Sequence, residues 1–197
     1  MMNKNKTLEY YKNADNFAKT TINVDFYETQ NRFSTLLPEH GYILDFGCGS
    51  GRDTKYFLEQ GFYVDATDGS EEMCHIASNY TGIQVRRLLF EELDENKKYD
   101  GIWACSSILH LPKNELKAVF MKMFKALKED GIIYTSFKYG DFEGERNGRY
   151  FTDFTEKTFE EFVGEIDNLQ VKEEWITGDV RPGRGEEKWL NVILQKH

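Results

Sequence analysis

Tyr42-Ile43-Leu44-Asp45-Phe46-Gly47-Cys48-Gly49-Ser50-Gly51-Arg52-Asp53 runs an apolar strand into three alternating glycines and then into a helix start. Glycines at a strand-to-helix corner let backbone N–H groups approach a ligand, because no Cβ intervenes and a helix N-terminus stands behind them. The spacing separates this corner from the dinucleotide fingerprint G-x-G-x-x-G. Gly47, Gly49 and Gly51 read G-x-G-x-G, and Arg52 stands where the fingerprint wants its third glycine. Asp45 is expected at the mouth of the sheet, where a carboxylate repels a pyrophosphate and attracts an ammonium group. The corner therefore suits a cationic ligand better than a phosphorylated one.

Outward from this corner, helical and strand patterns alternate, which argues for a mostly parallel sheet covered on both faces. Strands are expected near 42–46, 63–67, 84–88, 101–105 and 131–137. Helical spacing joins Tyr10, Tyr11, Ala14, Phe17 and Ala18, and again Phe26, Phe33, Leu36 and Leu37 before a turn at Pro38 to Gly41. Leu116, Val119, Phe120, Met123 and Leu127 repeat at helical steps after Pro112, with Gly131 as the expected stop. The last third breaks the alternation. A loop over 139–152 precedes a helix near 156–163, and strands near 171–176 and 189–195 follow with no helix between them, as in an antiparallel edge hairpin.

Four segments now carry a resemblance. Leu44 to Gly51 resembles motif I of the class I S-adenosylmethionine-dependent methyltransferases, and Tyr63-Val64-Asp65-Ala66-Thr67-Asp68-Gly69-Ser70 resembles their second strand with its terminal acid. Tyr99 to His110 resembles the fourth strand and its loop, and Leu127 to Lys138 the entry to the fifth; the likeness covers residues 40 to 140. The family implies an α/β, Rossmann-like three-layer α/β/α sandwich with a mostly parallel seven-stranded sheet and an antiparallel edge hairpin. On this reading residues 1–197 form one domain, with 1–40 as an N-terminal helical lid and 41–197 as the core.

The resemblance also implies S-adenosyl-L-methionine as cofactor and assigns its contacts. Asp68 would accept hydrogen bonds from both ribose hydroxyls, the competing reading being a cap on the helix that begins near Ser70. Asp45, Gly47, Cys48, Gly49, Gly51 and Asp53 of the corner would contact the cofactor, Gly69 and Met73 would lie under the adenine, Leu89, Phe90 and Glu91 would wrap its other face, and Ser106 would close the site. For Met73, Leu89 and Phe90, ordinary core packing stands as the alternative. The reaction implied is attack of a substrate nucleophile on the sulfonium methyl in line, where positioning alone supplies much of the rate. A dedicated base is optional; His110, after the fourth strand, is the candidate, with a purely structural histidine as the competing reading. Tyr11, with Tyr10, would roof the pocket and touch the methionyl carboxylate, the competing reading being packing on the apolar face of the N-terminal helix.

Composition sets the outer limits. A chain of 197 residues, 40% of them hydrophobic, builds one core. Its net charge of −9 weighs against a nucleic-acid partner. No apolar run approaches the length of a membrane span, and Met-Met-Asn-Lys-Asn-Lys leads into polar and aromatic residues instead of a signal-peptide core, so a cytoplasmic location is expected. Cys48, Cys74 and Cys105 show no C-x-x-C spacing, and neither a disulfide frame nor a metal site is expected.

Against that acidic background, Lys138, Arg146, Arg149 and Tyr150 share one glycine-containing loop, and Arg181 and Arg184 another. With His110 they are the candidate acceptor-binding residues, suited to gripping a small anion through arginine forks. The competing reading pairs these arginines with Glu143, Glu145, Asp153, Glu186 and Glu187 as a loop-ordering set. The expected function is methyl transfer to a small anionic molecule, in the manner of the tellurite-resistance and small-metabolite methyltransferases. An RNA-directed methyltransferase and a non-catalytic S-adenosylmethionine-binding regulator are the alternatives. A DNA N-methyltransferase is opposed because Cys105-Ser106-Ser107-Ile108 stands where an Asn/Asp-Pro-Pro-aromatic run would be, and an NAD oxidoreductase by the missing glycine at Arg52.

Overall fold

A computed structural model describes residues 14–181 and 183–197 of the chain. Strands β1 (Tyr42–Phe46), β2 (Tyr63–Asp68), β3 (Arg86–Arg87), β4 (Tyr99–Ala104) and β5 (Leu127–Lys138) pair in parallel in the order β3-β2-β1-β4-β5. Beyond β5 the sheet turns antiparallel: β9 (Lys188–Lys196) pairs with β5, and β8 (Leu169–Gly178) forms the edge against β9. This is the mostly parallel seven-stranded sheet with an antiparallel edge pair that the sequence implied.

Alternation along the strands explains the layers, since successive side chains leave a strand on opposite faces. Leu44, Ile102, Ile133 and Leu194 enter a core with helices α5 (Lys113–Ala126) and α6 (Glu156–Val163). Ile43, Trp103, Ile132, Tyr134 and Ile193 point the other way, toward Phe33 of α2 (Tyr27–Ser34) and Phe57 of α3 (Arg52–Glu59). Trp103 stacks on Tyr134 with ring centroids 4.0 Å apart. A smaller cluster of Ala66, Cys74, Ala77 and Val85 seats α4 (Glu71–Thr81). The chain runs outward from β1 through β2 to β3, then returns to build β4 and β5 on the other side. That reversal opens a crevice at the carboxyl ends of β1 and β4.

Three expectations need correction. The helix after Pro112 ends at Ala126, and Leu127 already pairs with Tyr99 in the sheet, five residues before the first regular partner, Ile132. The left-handed turn falls on Asp130 (φ 60°), while Gly131 serves by its size, because a Cβ there would lie 3.0 Å from the Lys128 carbonyl oxygen. The strand expected over 84–88 shrinks to Arg86–Arg87. Residues 139–152 are not a simple loop. They hold a separate hairpin of β6 (Glu143–Arg146) and β7 (Arg149–Thr152), turned at Asn147-Gly148 with φ of 53° and 75°.

At the N-terminal end, α1 (Ala14–Thr21) follows the expected helical spacing, and Thr21 Oγ1 lies 3.2 Å from Ser50 Oγ of the glycine corner. Tyr10 and Tyr11 lie outside the described residues. Among the described residues no helix is long and apolar enough to cross a membrane, and no group of three or more His, Cys, Asp or Glu side chains could hold a metal ion.

Candidate active site

At the end of β1 the backbone turns through left-handed conformations at Gly47 (φ 84°) and Gly51 (φ 84°), which L side chains rarely adopt. The two glycines do different work. A Cβ on Gly47 would fall 2.5 Å from Ser107 Cβ, so this glycine lets the loop after β4 close onto the corner. A Cβ on Gly51 would fall 2.8 Å from Thr81 Cγ2, so that glycine seats α4. Gly47 and Cys48 donate their N–H groups to the Thr67 carbonyl at 2.9 Å, which ties the corner to β2.

Asp68 ends β2 among backbone donors, Gly49 N–H at 2.9 Å, Ser70 N–H at 2.9 Å and Gly69 N–H. Burial pushes its carboxyl above the ordinary range, and these N–H groups oppose the rise. The cap on α4 is made by Ser70, whose Oγ accepts from Met73 N–H at 3.3 Å. Asp68 is thereby left as a clasp whose oxygens stay on the wall of the crevice.

That crevice is a cavity of about 1140 Å³. Gly47, Cys48, Gly49, Asp53, Asp68, Gly69, Leu89, Phe90, Glu91 and Ser106 line it, so the structure brings most of the expected cofactor residues together. Phe90 is held edge-on to Phe46 at 4.9 Å. Three residues stand apart. Gly51 packs against α4, and Met73, 1% exposed, belongs to the core. Asp45 is the third, and it corrects the expectation that its carboxylate faces a ligand.

Asp45 is 2% exposed and accepts a hydrogen bond from Thr54 Oγ1 at 2.5 Å, beneath the corner. Burial and the neighbouring charge of Asp53 push its carboxyl far above the carboxylate range. Strand parity explains the error, since Asp45 shares the face of Ile43, which packs toward α3. Asp53 is the ionised member of the pair. Against its burial, the Arg52 guanidinium, donating at 2.7 and 2.9 Å, holds it below the usual range, with Trp103 Nε1 at 2.9 Å and Gln30 Nε2 at 2.7 Å.

Past β4, Ser106 has a left-handed backbone (φ 51°), an unusual cost for a non-glycine residue. The conformation is held by Ser136 Oγ, which accepts from Ser106 N–H at 2.9 Å, while Ser107 Oγ donates to the Phe46 carbonyl at 2.7 Å. Arg52 and Ser136, which both line the cavity, were missed in the sequence. A serine near the carboxyl end of an otherwise apolar strand was the available signal. Burial pushes the Cys105 thiol up to about 12, and the Cys48 thiol also rises, so neither is a nucleophile at neutral pH.

His110 sits on the cavity wall with Nδ1 2.7 Å from the Tyr150 carbonyl oxygen and its ring edge-on to Phe151 at 4.8 Å. Burial, and then the positive charges of Arg149 and Arg146, lower its pKa to about 4. Tyr150 contributes that carbonyl, while its hydroxyl turns to Glu143 at 3.2 Å.

The far end of the cavity is lined by Lys138, Arg146, Arg149, Arg181 and Arg184, as expected, but also by Asp153, Asp179 and Glu187. Arg146 forks onto Asp153 at 3.0 and 2.8 Å and lies over the Phe142 and Phe151 rings. Arg181 forks onto Asp179 at 2.9 and 2.5 Å, and Arg184 Nε donates to Glu187 at 2.6 Å. Lys138 reaches both Asp179 and Glu187 over the Trp189 ring. Although burial opposes it, Arg181 holds Asp179 well below the carboxylate range. Loop-ordering pairs therefore exist in the structure, and they stand inside the cavity.

An open α/β sheet with a glycine corner and a terminal acid flanking its switch-point cavity defines a Rossmann-like ligand-binding protein. A family profile described as "Methyltransferase domain" matches residues 43–131. The Bacillus subtilis methyltransferase-family protein YqeM is 34% identical over 116 residues, which are 53% of this chain and 47% of that protein; the chain thus spans about half of it. An uncharacterized methyltransferase of Staphylococcus carnosus is 24% identical over 80% of this chain and 79% of its own length. Among solved structures, the 1,6-didemethyltoxoflavin-N1-methyltransferase of Burkholderia thailandensis, with bound 1,6-didemethyltoxoflavin and S-adenosylhomocysteine, superposes with a TM-score of 0.77. It is 23% identical, over 98% of this chain and 86% of that one. Residues 43–131 thus match a methyltransferase-domain profile, and the chain as a whole shares the fold of the Burkholderia enzyme.

Proposed function

We propose that the chain binds S-adenosylmethionine at the β1 corner and transfers its methyl group to a small molecule that carries an anionic group. The observation that carries this reading is the Asp68 clasp. Its two carboxylate oxygens take the Gly49 and Ser70 N–H groups at 2.9 Å each, with Gly69 N–H as a third donor, and keep lone-pair capacity for ribose hydroxyls. Leu88, Leu89 and Phe90 form the apolar wall an adenine needs, beside Gly69. A cavity of about 1140 Å³ exceeds the roughly 300–1,000 Å³ of ordinary single-ligand sites, which leaves room for donor and acceptor together.

When bound, the donor supplies a methyl group on a positively charged sulfur. The chain's own residues then position and enclose. Gly47 and Ser107 close the corner against the acceptor side, and the Ser106 turn fixes the floor between them. The acceptor's anion would meet Lys138, Arg146, Arg149, Arg181, Arg184 and Lys188. A guanidinium carries five N–H groups, and Asp153 takes two of those on Arg146 and Glu187 one of those on Arg184, which leaves donors for a carboxylate or phosphate.

Calorimetry with S-adenosylmethionine and S-adenosylhomocysteine on wild type and Asp68→Ala tests the donor half. Each lost charge-assisted bond is worth about 1.5–3 kcal/mol, so the variant should bind at least tenfold more weakly. Absence of binding to folded wild type removes the proposal. Binding without turnover of any small acceptor would leave a regulator in place of an enzyme.

A further inference from the structure

Resting on the methyltransferase reading above, we propose that His110 takes a proton from the methylated atom at Nε2. The acceptor is then a molecule whose nucleophilic nitrogen or oxygen still carries its hydrogen when it binds, with the anionic group elsewhere on the molecule. The imidazole tautomer follows from the geometry. A carbonyl oxygen only accepts, so the 2.7 Å contact with Tyr150 requires the hydrogen on Nδ1, and Nε2 keeps its lone pair. The hairpin holds this arrangement by two further ties, Thr152 Oγ1 donating to the Leu111 carbonyl at 2.7 Å and the Arg146 fork on Asp153.

Position favours the same role. His110 follows Ser106 and Ser107, which close against the donor corner, and it lies beside Arg146 and Arg149 of the cationic end. Other basic groups on the described cavity wall are committed. Asp53 is held by Arg52, Asp153 by Arg146, Asp179 by Arg181, and Glu187 by Lys138 and Arg184. Asp68 is clasped by backbone N–H groups, and Glu91 and Glu186 are exposed to solvent.

The charged groups facing His110 are Arg149 on β7 and Arg146 on β6, and with burial they keep the ring neutral down to a pKa of about 4. A neutral ring accepts a proton without a prior ionisation. In the transfer the X–H bond breaks with its electron pair staying on X, and the methyl carbon bonds to X as its bond to sulfur breaks with that pair on sulfur. The proton goes to Nε2 and then to water. One positive charge leaves the sulfur as one arrives on the ring, so the cavity's net charge is unchanged.

Two readouts test this. Long-range ¹H–¹⁵N correlation of labelled histidine in the donor-free protein should show His110 as the Nδ1–H tautomer, neutral at pH 6. Turnover is then followed with 4-hydroxybenzenesulfonate and 4-aminobenzenesulfonate, whose nucleophilic atoms carry hydrogen and whose anionic group stays ionised through pH 4, and with nicotinate, whose ring nitrogen carries none. For the protic probes kcat/KM should be flat from pH 8 to 5 and fall as pH drops toward the His110 pKa of about 4. His110→Asn can keep the hydrogen bond to Tyr150 and lacks Nε2. It should retain donor binding and the wild-type melting temperature while losing roughly 100-fold to 10,000-fold in kcat and the acid limb. His110→Gln, with an acceptor that cannot take a proton, should lose as much. An Nε2–H tautomer, full activity in both variants, or turnover of nicotinate without the protic probes overturns the proposal, as does no turnover of any probe. Failure of wild type to bind the donor removes the earlier reading instead, and calorimetry tells the two apart.

Discussion

Gly47→Ala should be costly, and the structure says where the cost arises. The backbone there has φ 84°, and an alanine held in the left-handed region loses about 1–2 kcal/mol relative to glycine. Its Cβ would stand 2.5 Å from Ser107 Cβ and 3.1 Å from Ser107 Oγ, so Ser107 must move. That movement breaks the 2.7 Å bond from Ser107 Oγ to the Phe46 carbonyl, a further loss of about 0.5–1.5 kcal/mol. Together the variant should lose about 1.5–3.5 kcal/mol in urea unfolding, and donor affinity should fall because the corner and the β4 loop separate. Ser107→Gly removes the obstructing atoms and the hydrogen bond in one step. In the double variant only the backbone term should remain, so a double-mutant cycle should return a coupling of about 1 kcal/mol or more. Additivity of the two single changes within about 0.5 kcal/mol would refute the contact as the source of the cost.

Asp45→Asn tests the buried acid. Its native pKa lies far above the ordinary value of 3.8, so between the two the native state holds a proton that the unfolded chain has released. Stability must then fall as pH rises above about 4, and the asparagine variant should flatten that slope in urea unfolding followed against pH. A slope unchanged by the substitution would mean that Asp45 is ionised in the native protein. Arg146→Ala should destabilise by about 1–2 kcal/mol, the lower side of a buried-pair loss because Arg146 is 36% exposed while Asp153 is 5% exposed. The same variant and Arg181→Ala should raise KM for anionic acceptors without altering donor binding, and unchanged kinetics with every acceptor would end the anion assignment.

Much of this molecule is local and therefore legible. Gly47 and Gly51 announce a turn that only glycine tolerates, and the nearly unbroken apolar runs at 42–46 and 101–105 announce a sheet with covered faces. Asp68 is placed by the length of its own strand, and Asn147-Gly148 is a local signal for the hairpin turn. Parity along β1 could also have turned Asp45 inward, since it shares the face of Ile43. What sequence could not supply depends on partners distant along the chain. The fork of Arg52 on Asp53 is local, but the Trp103 and Gln30 bonds that complete it come from β4 and α2. The arginines of the two loops pair with near neighbours in sequence, but Lys138 reaches Asp179 and Glu187, and both loops share one cavity, only once β5, β9 and β8 are side by side. The tautomer of His110 is set by a carbonyl forty residues later in the chain, which reaches it because β7 folds back over the loop after β4. Short-range stereochemistry wrote the corner, the strands and the ion pairs within each loop, whereas burial, proton placement and the gathering of those loops were decided by which distant groups the assembled sheet brought within reach.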